Sequence, residues 1–158
     1  MKKNSILISP ELLKKLYPSD NIKILDCSWY LPKDKRNGKI DYENMHIIGS
    51  QYFDIDEVSD KKTNLPHMIP NKKHFEEALS NMGVSKNDHI VCYTKDAMYS
   101  APRVWWLFRL YGHKNISILN GGLSGWISVG GTVTSNKSMI TNKSYYIAES
   151  LNKHQYSL

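Results

Sequence analysis

The sequence predicts an α/β fold: a parallel sheet with helices on both faces. Two observations carry this. Ile22 to Asp26, Ile90 to Tyr93 and Ile116 to Leu119 are short apolar runs of strand length, the pattern of strands buried on both sides. Segments with helical spacing and capping signals lie between them, so strands and helices alternate at short intervals. In such sheets functional residues collect at the carboxyl ends of the strands. Here those positions are Asp26, Asp56 and Thr94, with the loops that follow them.

The elements follow in order. Ser9-Pro10-Glu11 predicts a helix start, with serine as N-cap, proline in the first turn and an acid beside it. Leu12, Leu13 and Leu16 continue it as an apolar stripe, and Pro18 ends it. Ile22 to Asp26 is a strand closed by an acid, which is expected to face solvent. Pro32 to Asn44 is polar and charged and is expected to be a surface excursion. A second strand is expected around Gln51-Tyr52-Phe53, then a loop from Lys61 to Pro70. Asn71 to Met82 has helical spacing at Phe75, Leu79 and Met82, with Gly83 just past its end. After the strand at Ile90 to Tyr93, a helix starting at Ser100 or Ala101 carries Val104 to Tyr111 and stops at Gly112. It is apolar nearly all round, so most of its sides must be covered. Asn120-Gly121-Gly122 is a turn into a last short helix from Leu123 to Ile127. From Ser135 the chain turns polar, as a linker or tail does.

Composition narrows the function. The chain has 158 residues, the length of one domain. No apolar run approaches the roughly 18 residues a membrane helix needs, and Ile6-Leu7-Ile8 is too short for a signal peptide. The formal charge is +6, but the basic residues are scattered and not interleaved with aromatics, so a solvated surface is expected, not a nucleic-acid site. Such a field would attract small anions. Cys27 and Cys92 form no C-x-x-C pair, and His74, His89, His113 and His154 have no metal-ligand spacing, so no cofactor or metal is expected. Two unpaired cysteines point to a reducing compartment, the cytoplasm.

Several segments together resemble the N-terminal domain of thiosulfate and 3-mercaptopyruvate sulfurtransferases, the rhodanese family. They are Leu25-Asp26-Cys27-Ser28-Trp29-Tyr30-Leu31-Pro32, His46-Ile47-Ile48-Gly49-Ser50, Phe53-Asp54-Ile55-Asp56, His67-Met68-Ile69-Pro70, Ser100-Ala101-Pro102-Arg103-Val104-Trp105-Trp106, and Gly121-Gly122 with Trp126. They keep the family's order and spacing over residues 6 to 134. The resemblance implies a rhodanese-like three-layer fold over residues 1–134 and an interdomain linker or tail over 135–158, in which Tyr145 to Asn152 resemble the linker that leads into the family's second domain. It implies transfer of a sulfane sulfur from thiosulfate or 3-mercaptopyruvate through a cysteine persulfide. The nucleophile is a thiolate in a loop between strand and helix, where backbone N–H groups favour negative charge.

In this chain that loop runs Thr94-Lys95-Asp96-Ala97-Met98-Tyr99 and has no glycine. The position matching the family's cysteine is Thr94. Two-domain members lack the cysteine in their first domain and carry it in the second, so the chain resembles a non-catalytic half. The same resemblance assigns Asp56 and His67 an assisting role in proton transfer, where a carboxylate orients a histidine that titrates near neutrality. From residue types alone, Asp56 caps a turn and His67 is an ordinary loop residue. Asp26 is expected to hold a loop at a strand end, His46 to fix a turn, Arg103 and Arg109 to form ion pairs, and Trp105 and Trp106 to be core or interface. Cys92 in mid-strand and Cys27 at a strand end are expected to be inert structural residues.

Three functions remain open on the sequence: half of a sulfurtransferase, for which an apolar docking face is expected; an inactive rhodanese-like binding or regulatory module, for which a sealed polar face is expected; and a self-sufficient enzyme using Cys92 or Cys27. In the first, the partner would be a small anionic sulfur donor once a C-terminal domain completes the site.

Overall fold

The computed structural model describes residues 5–96, 99–140 and 142–151. Ala97 and Met98 of the expected nucleophile loop, the basic start of the chain, and His154 lie outside them.

Twelve elements follow one another: β1 (Leu7–Ile8), α1 (Pro10–Leu16), β2 (Ile22–Asp26), α2 (Gly38–Asn44), β3 (His46–Ile47), β4 (Gln51–Tyr52), α3 (Lys72–Asn81), β5 (His89–Tyr93), α4 (Ser100–Leu110), β6 (Ile116–Leu119), α5 (Gly122–Ser128) and β7 (Val133–Thr134). The main sheet is parallel throughout, in the order β1-β6-β5-β2-β4. β3 and β7 form a separate antiparallel pair.

The two-residue period of a strand sorts the core into two halves. Leu25, Ile90 and Cys92 face one side, with Phe75 and Leu79 of α3 and Val104, Leu107 and Phe108 of α4. Ile24, Val91 and Tyr93 face the other, with Leu13 of α1 and Leu123 and Trp126 of α5. Helices therefore cover both faces, as the buried apolar strands require. The chain runs outward from the central β2–β5 pair in opposite directions, which opens a crevice at their carboxyl ends. The loops after β2, β4 and β5 meet there.

Local chemistry explains most boundaries. The Ser9 side chain accepts the Leu12 N–H at 3.2 Å, and Pro10 opens α1. Asn71 caps α3 through the His74 N–H at 2.9 Å, and Gly83 follows α3 at φ +68°. Gly122 is required by close approach: a Cβ there would collide with the Thr94 carbonyl oxygen, which accepts the Leu123 N–H at 3.0 Å.

Three expectations are corrected, and a fourth, the surface excursion from Pro32 to Asn44, holds and gains local structure. Asp26 does not face solvent; it is 1 % exposed, because β4 and β5 flank β2 and the Ser28 N–H turns back onto its Oδ1 at 2.9 Å. The excursion from Pro32 to Asn44 contains a 3₁₀ turn, Pro32–Asp34, and α2, started by Asn37 capping Lys39 and Ile40. Of the Leu12, Leu13 and Leu16 stripe only Leu13 is buried, packed in one cluster with Leu123 and Trp126 of α5. In the stretch after Ser135, Tyr146 and Ala148 join the core below α3 and α4. The two-residue strands β1, β3 and β7 carry no periodicity to read.

Candidate functional site

Behind the crevice sits a buried polar layer. Asp26 accepts from the Ser28 N–H, and the Ser28 hydroxyl oxygen accepts the Lys95 N–H at 2.9 Å, which ties the loop after β5 to the loop after β2. The Tyr93 hydroxyl accepts the Ile47 N–H and lies 3.2 Å from the Ser50 hydroxyl. Burial raises Asp26 above the ordinary carboxylate range, against the hydrogen bonds from Ser28 and Tyr93 and the charge of His46. Burial and then the charge of Asp26 push Tyr93 well up. His46 is buried, stacks on Tyr42 and has Nδ1 2.6 Å from the Tyr42 carbonyl, a turn-fixing arrangement.

Thr94 is half-buried at the end of β5. Beyond it, Asp96 is drawn into an ion-pair bridge: Arg36 lies 2.9 Å from Asp96 and 2.5 Å from Asp41, over the ring of Tyr30. An acid held at this place disfavours an anionic ligand or thiolate. Both cysteines are free and fully buried. Burial, then neighbouring Cys92 and Asp26, push the Cys27 thiol well up, away from the thiolate that sulfur chemistry needs.

Asp56 and His67, eleven positions apart in one loop, are brought together. His67 Nε2 lies 2.7 Å from Asp56 Oδ1. The loop is shaped to do this. Asp54 Oδ1 accepts the N–H groups of Asp56 and Glu57, turning the chain after β4. The Asp60 N–H donates to the Met68 carbonyl and closes the far end at 3.0 Å. His67 itself has φ +55°, a left-handed conformation uncommon outside glycine. The guanidinium of Arg103, on α4, donates to the His67 carbonyl at 2.5 Å and stacks over Trp106. Burial lowers Arg103 from its ordinary value. The Asp56 side chain is 59 % exposed and that of His67 19 %, so the pair lies at the surface of the crevice.

Two residues at this site escaped the sequence reading of roles. Trp29 donates its indole N–H to Asp56 Oδ2 at 3.0 Å and sets its ring edge-on to His67 at 4.6 Å. Arg103, for which an ion pair is expected from sequence, contacts the His67 carbonyl and the Trp106 ring. Trp29 lies within the family-like segment after β2, but nothing in sequence places it beside residues 27 and 38 positions later.

Among the described residues no cluster of His, Cys, Asp or Glu could hold a metal, and no helix is long and apolar enough to cross a membrane. A cavity of about 840 Å³ lies elsewhere, between α2, α3 and residues 135–140.

A parallel sheet covered on both faces, with its loops converging on a crevice at the carboxyl ends, defines an α/β domain of rhodanese type. The chain belongs to the Rhodanese-like domain family, which it matches over residues 9–128. It is 43 % identical over 130 residues to mouse 3-mercaptopyruvate sulfurtransferase, covering 81 % of this chain and 44 % of the mouse protein. It is 40 % identical over 120 residues to rat thiosulfate sulfurtransferase, covering 75 % and 40 %. The crystal structure of SseA from Escherichia coli, a 3-mercaptopyruvate sulfotransferase, superposes with a TM-score of 0.85 at 31 % identity, over 94 % of this chain and 56 % of that one. The chain thus spans under half the length of the curated relatives it matches.

Proposed function

We propose that this chain acts as the non-catalytic N-terminal half of a sulfurtransferase using thiosulfate or 3-mercaptopyruvate, with the persulfide cysteine on a C-terminal rhodanese domain outside residues 1–158. The observation that carries the reading is the combination of sealed thiols and an assembled, surface-placed Asp56–His67 pair. A self-sufficient site would need Cys92 or Cys27 accessible and acidic, and both are buried. Thr94 stands at the degenerate nucleophile position.

Asp56 and His67 would then serve chemistry on the other domain. A thiolate there attacks the sulfur of 3-mercaptopyruvate; an S–S bond forms, the C–S bond breaks, and the bonding pair leaves on the pyruvate enolate. The enolate carbon takes one proton, giving pyruvate. A protonated His67, its charge balanced by Asp56, is the group suited to hold and deliver that proton. The surroundings fit a covered site: Leu65 and Met68 on the same loop, and Tyr99 before α4, are large apolar residues at 62 %, 42 % and 60 % exposure. A sealed polar face would have favoured the binding-module reading. The chain beyond the segment anchored by Tyr146 and Ala148 would lead into the second domain. A reducing compartment such as the cytoplasm fits the free thiols, and an Arabidopsis relative is mitochondrial by name, so fractionation of cells is the test of location.

The experiment is cyanide-dependent thiocyanate release from both donors, by the chain alone and by the chain joined to a catalytic C-terminal rhodanese domain. The chain alone should match the blank and the joined protein should turn over. In the joined protein, Asp56→Asn or His67→Gln should cut kcat with 3-mercaptopyruvate by about 100-fold. Turnover by the chain alone that disappears in Cys92→Ser would overturn the reading.

A further inference from the structure

We propose that Trp29 is the positioning residue of the Asp56–His67 pair, and that the pair handles its proton at Nδ1 of His67; this rests on the half-enzyme reading above.

The geometry assigns each atom. Asp56 is 59 % exposed at its side chain, and a carboxylate so placed is free to rotate unless both oxygens are held. Both are held here. Oδ1 faces His67 Nε2 at 2.7 Å, and Oδ2 accepts the Trp29 indole N–H at 3.0 Å. The indole nitrogen can only donate, so this contact has one polarity and suits the ionised acid. Trp29 also meets the His67 ring edge-on, with planes at 86°. One side chain from the loop after β2 therefore touches both members of a pair from the loop after β4. The Trp29 body is anchored, since it packs against the core beneath it. Arg103 completes the support from α4 by holding the His67 carbonyl.

An ionised carboxylate only accepts, so the hydrogen between His67 and Asp56 sits on Nε2. A neutral imidazole has one N–H, and Nδ1 is left with its lone pair. Nδ1 has no hydrogen-bond partner among the described residues. It is therefore the atom that takes up and releases a proton while Asp56 stays paired. The charged groups near the pair include Arg103, Lys61, whose Nζ lies 2.9 Å from the Asp56 carbonyl, Glu57, 3.4 Å from Lys61, and Asp54, whose Oδ1 accepts the Asp56 N–H at 3.1 Å.

The test is NMR on the ¹⁵N-labelled chain, with no partner domain. The Trp29 indole resonance, one of four tryptophans, is identified by its loss in Trp29→Phe. It should shift with pH at the same midpoint as the His67 ring nitrogens, and this tracking should vanish in Asp56→Asn. Above that midpoint His67 Nδ1 should carry no hydrogen. The other three indole resonances report whether Trp29→Phe stays folded, and the wild-type titration stands even if it does not. A flat Trp29 resonance, or a hydrogen on Nδ1 above the midpoint, would overturn the proposal. In the joined, active protein Trp29→Phe should lower kcat about tenfold and leave KM within about twofold, as lost orientation does and lost binding does not. If the NMR result holds while Asp56→Asn leaves turnover intact, the half-enzyme reading fails and the positioning of the pair stands.

Discussion

At the residue scale, single side chains near the carboxyl ends of β2 and β5 set the surroundings of this chain's two sulfurs, both of them buried. Cys27 and Cys92 lie in the core between the sheet and α4, away from water. A thiol probe such as Ellman's reagent should find no reactive sulfur in the native chain and both after unfolding; fast labelling of the folded protein would contradict the packing. Asp26 gives a pH signature of its own. Its folded pKa is raised, mainly by burial, so the folded chain binds more protons than the unfolded one in that window. Its contribution to stability is fully present below the unfolded pKa, about 3.9, and is lost as pH rises through the folded value. Asp26→Asn cannot ionise and can still accept the Ser28 N–H. Its stability relative to the parent should therefore improve as pH rises above about 4 and level off once the folded Asp26 has ionised, measured by urea denaturation. A pH-independent offset would mean that Asp26 titrates alike in both states. His67 and Asp56 illustrate the limits of residue-level reading: their types were suggestive, and their adjacency came from the fold.

At the scale of elements, residues 144–149 behave as a strap and not as a loose tail. The Tyr146 N–H donates to the Ser80 hydroxyl oxygen at 3.0 Å, the Ala148 N–H to Glu76 at 2.8 Å, and the Glu149 N–H to the Tyr111 carbonyl at 3.1 Å. Tyr146 is 2 % exposed, lies edge-on to Phe75 and has its hydroxyl 2.9 Å from Nδ1 of His113. Nε2 of His113 faces the Asp88 carbonyl, so Nε2 carries the hydrogen and Nδ1 accepts from Tyr146. Tyr146→Ala should cost about 3 kcal/mol in chemical denaturation, as loss of a buried ring does, with Tyr146→Phe in between. A cost near zero would return the segment to the linker that its polar neighbours suggest. The strap escaped notice because only alternate residues point inward, and Tyr145 and Ile147 stay exposed between them. The α1 cap, by contrast, was legible from Ser9-Pro10-Glu11, and Ser9→Ala should cost about 1 kcal/mol.

At the scale of the whole molecule, the exposed Leu65, Met68 and Tyr99 lie on the loops that carry or border the Asp56–His67 pair. If a second domain docks there, Leu65→Asp should leave stability within about 0.5 kcal/mol, since Leu65 is at the surface, yet weaken activation by a separately added catalytic domain at least about tenfold. Unchanged activation would place the interface elsewhere. The sequence by itself determined the parallel α/β class, the course of β2, β5, β6 and α3, and the family, because burial on both faces of a sheet demands continuous apolar runs and capping demands particular residues at particular positions. Only the tertiary structure decided that Asp26 is buried, that Tyr146 belongs to the core, and that Trp29 and Arg103 converge on Asp56 and His67. Those facts depend on which strands neighbour which and on loops meeting across the sheet, and contacts between residues far apart in the chain leave no periodic trace in it.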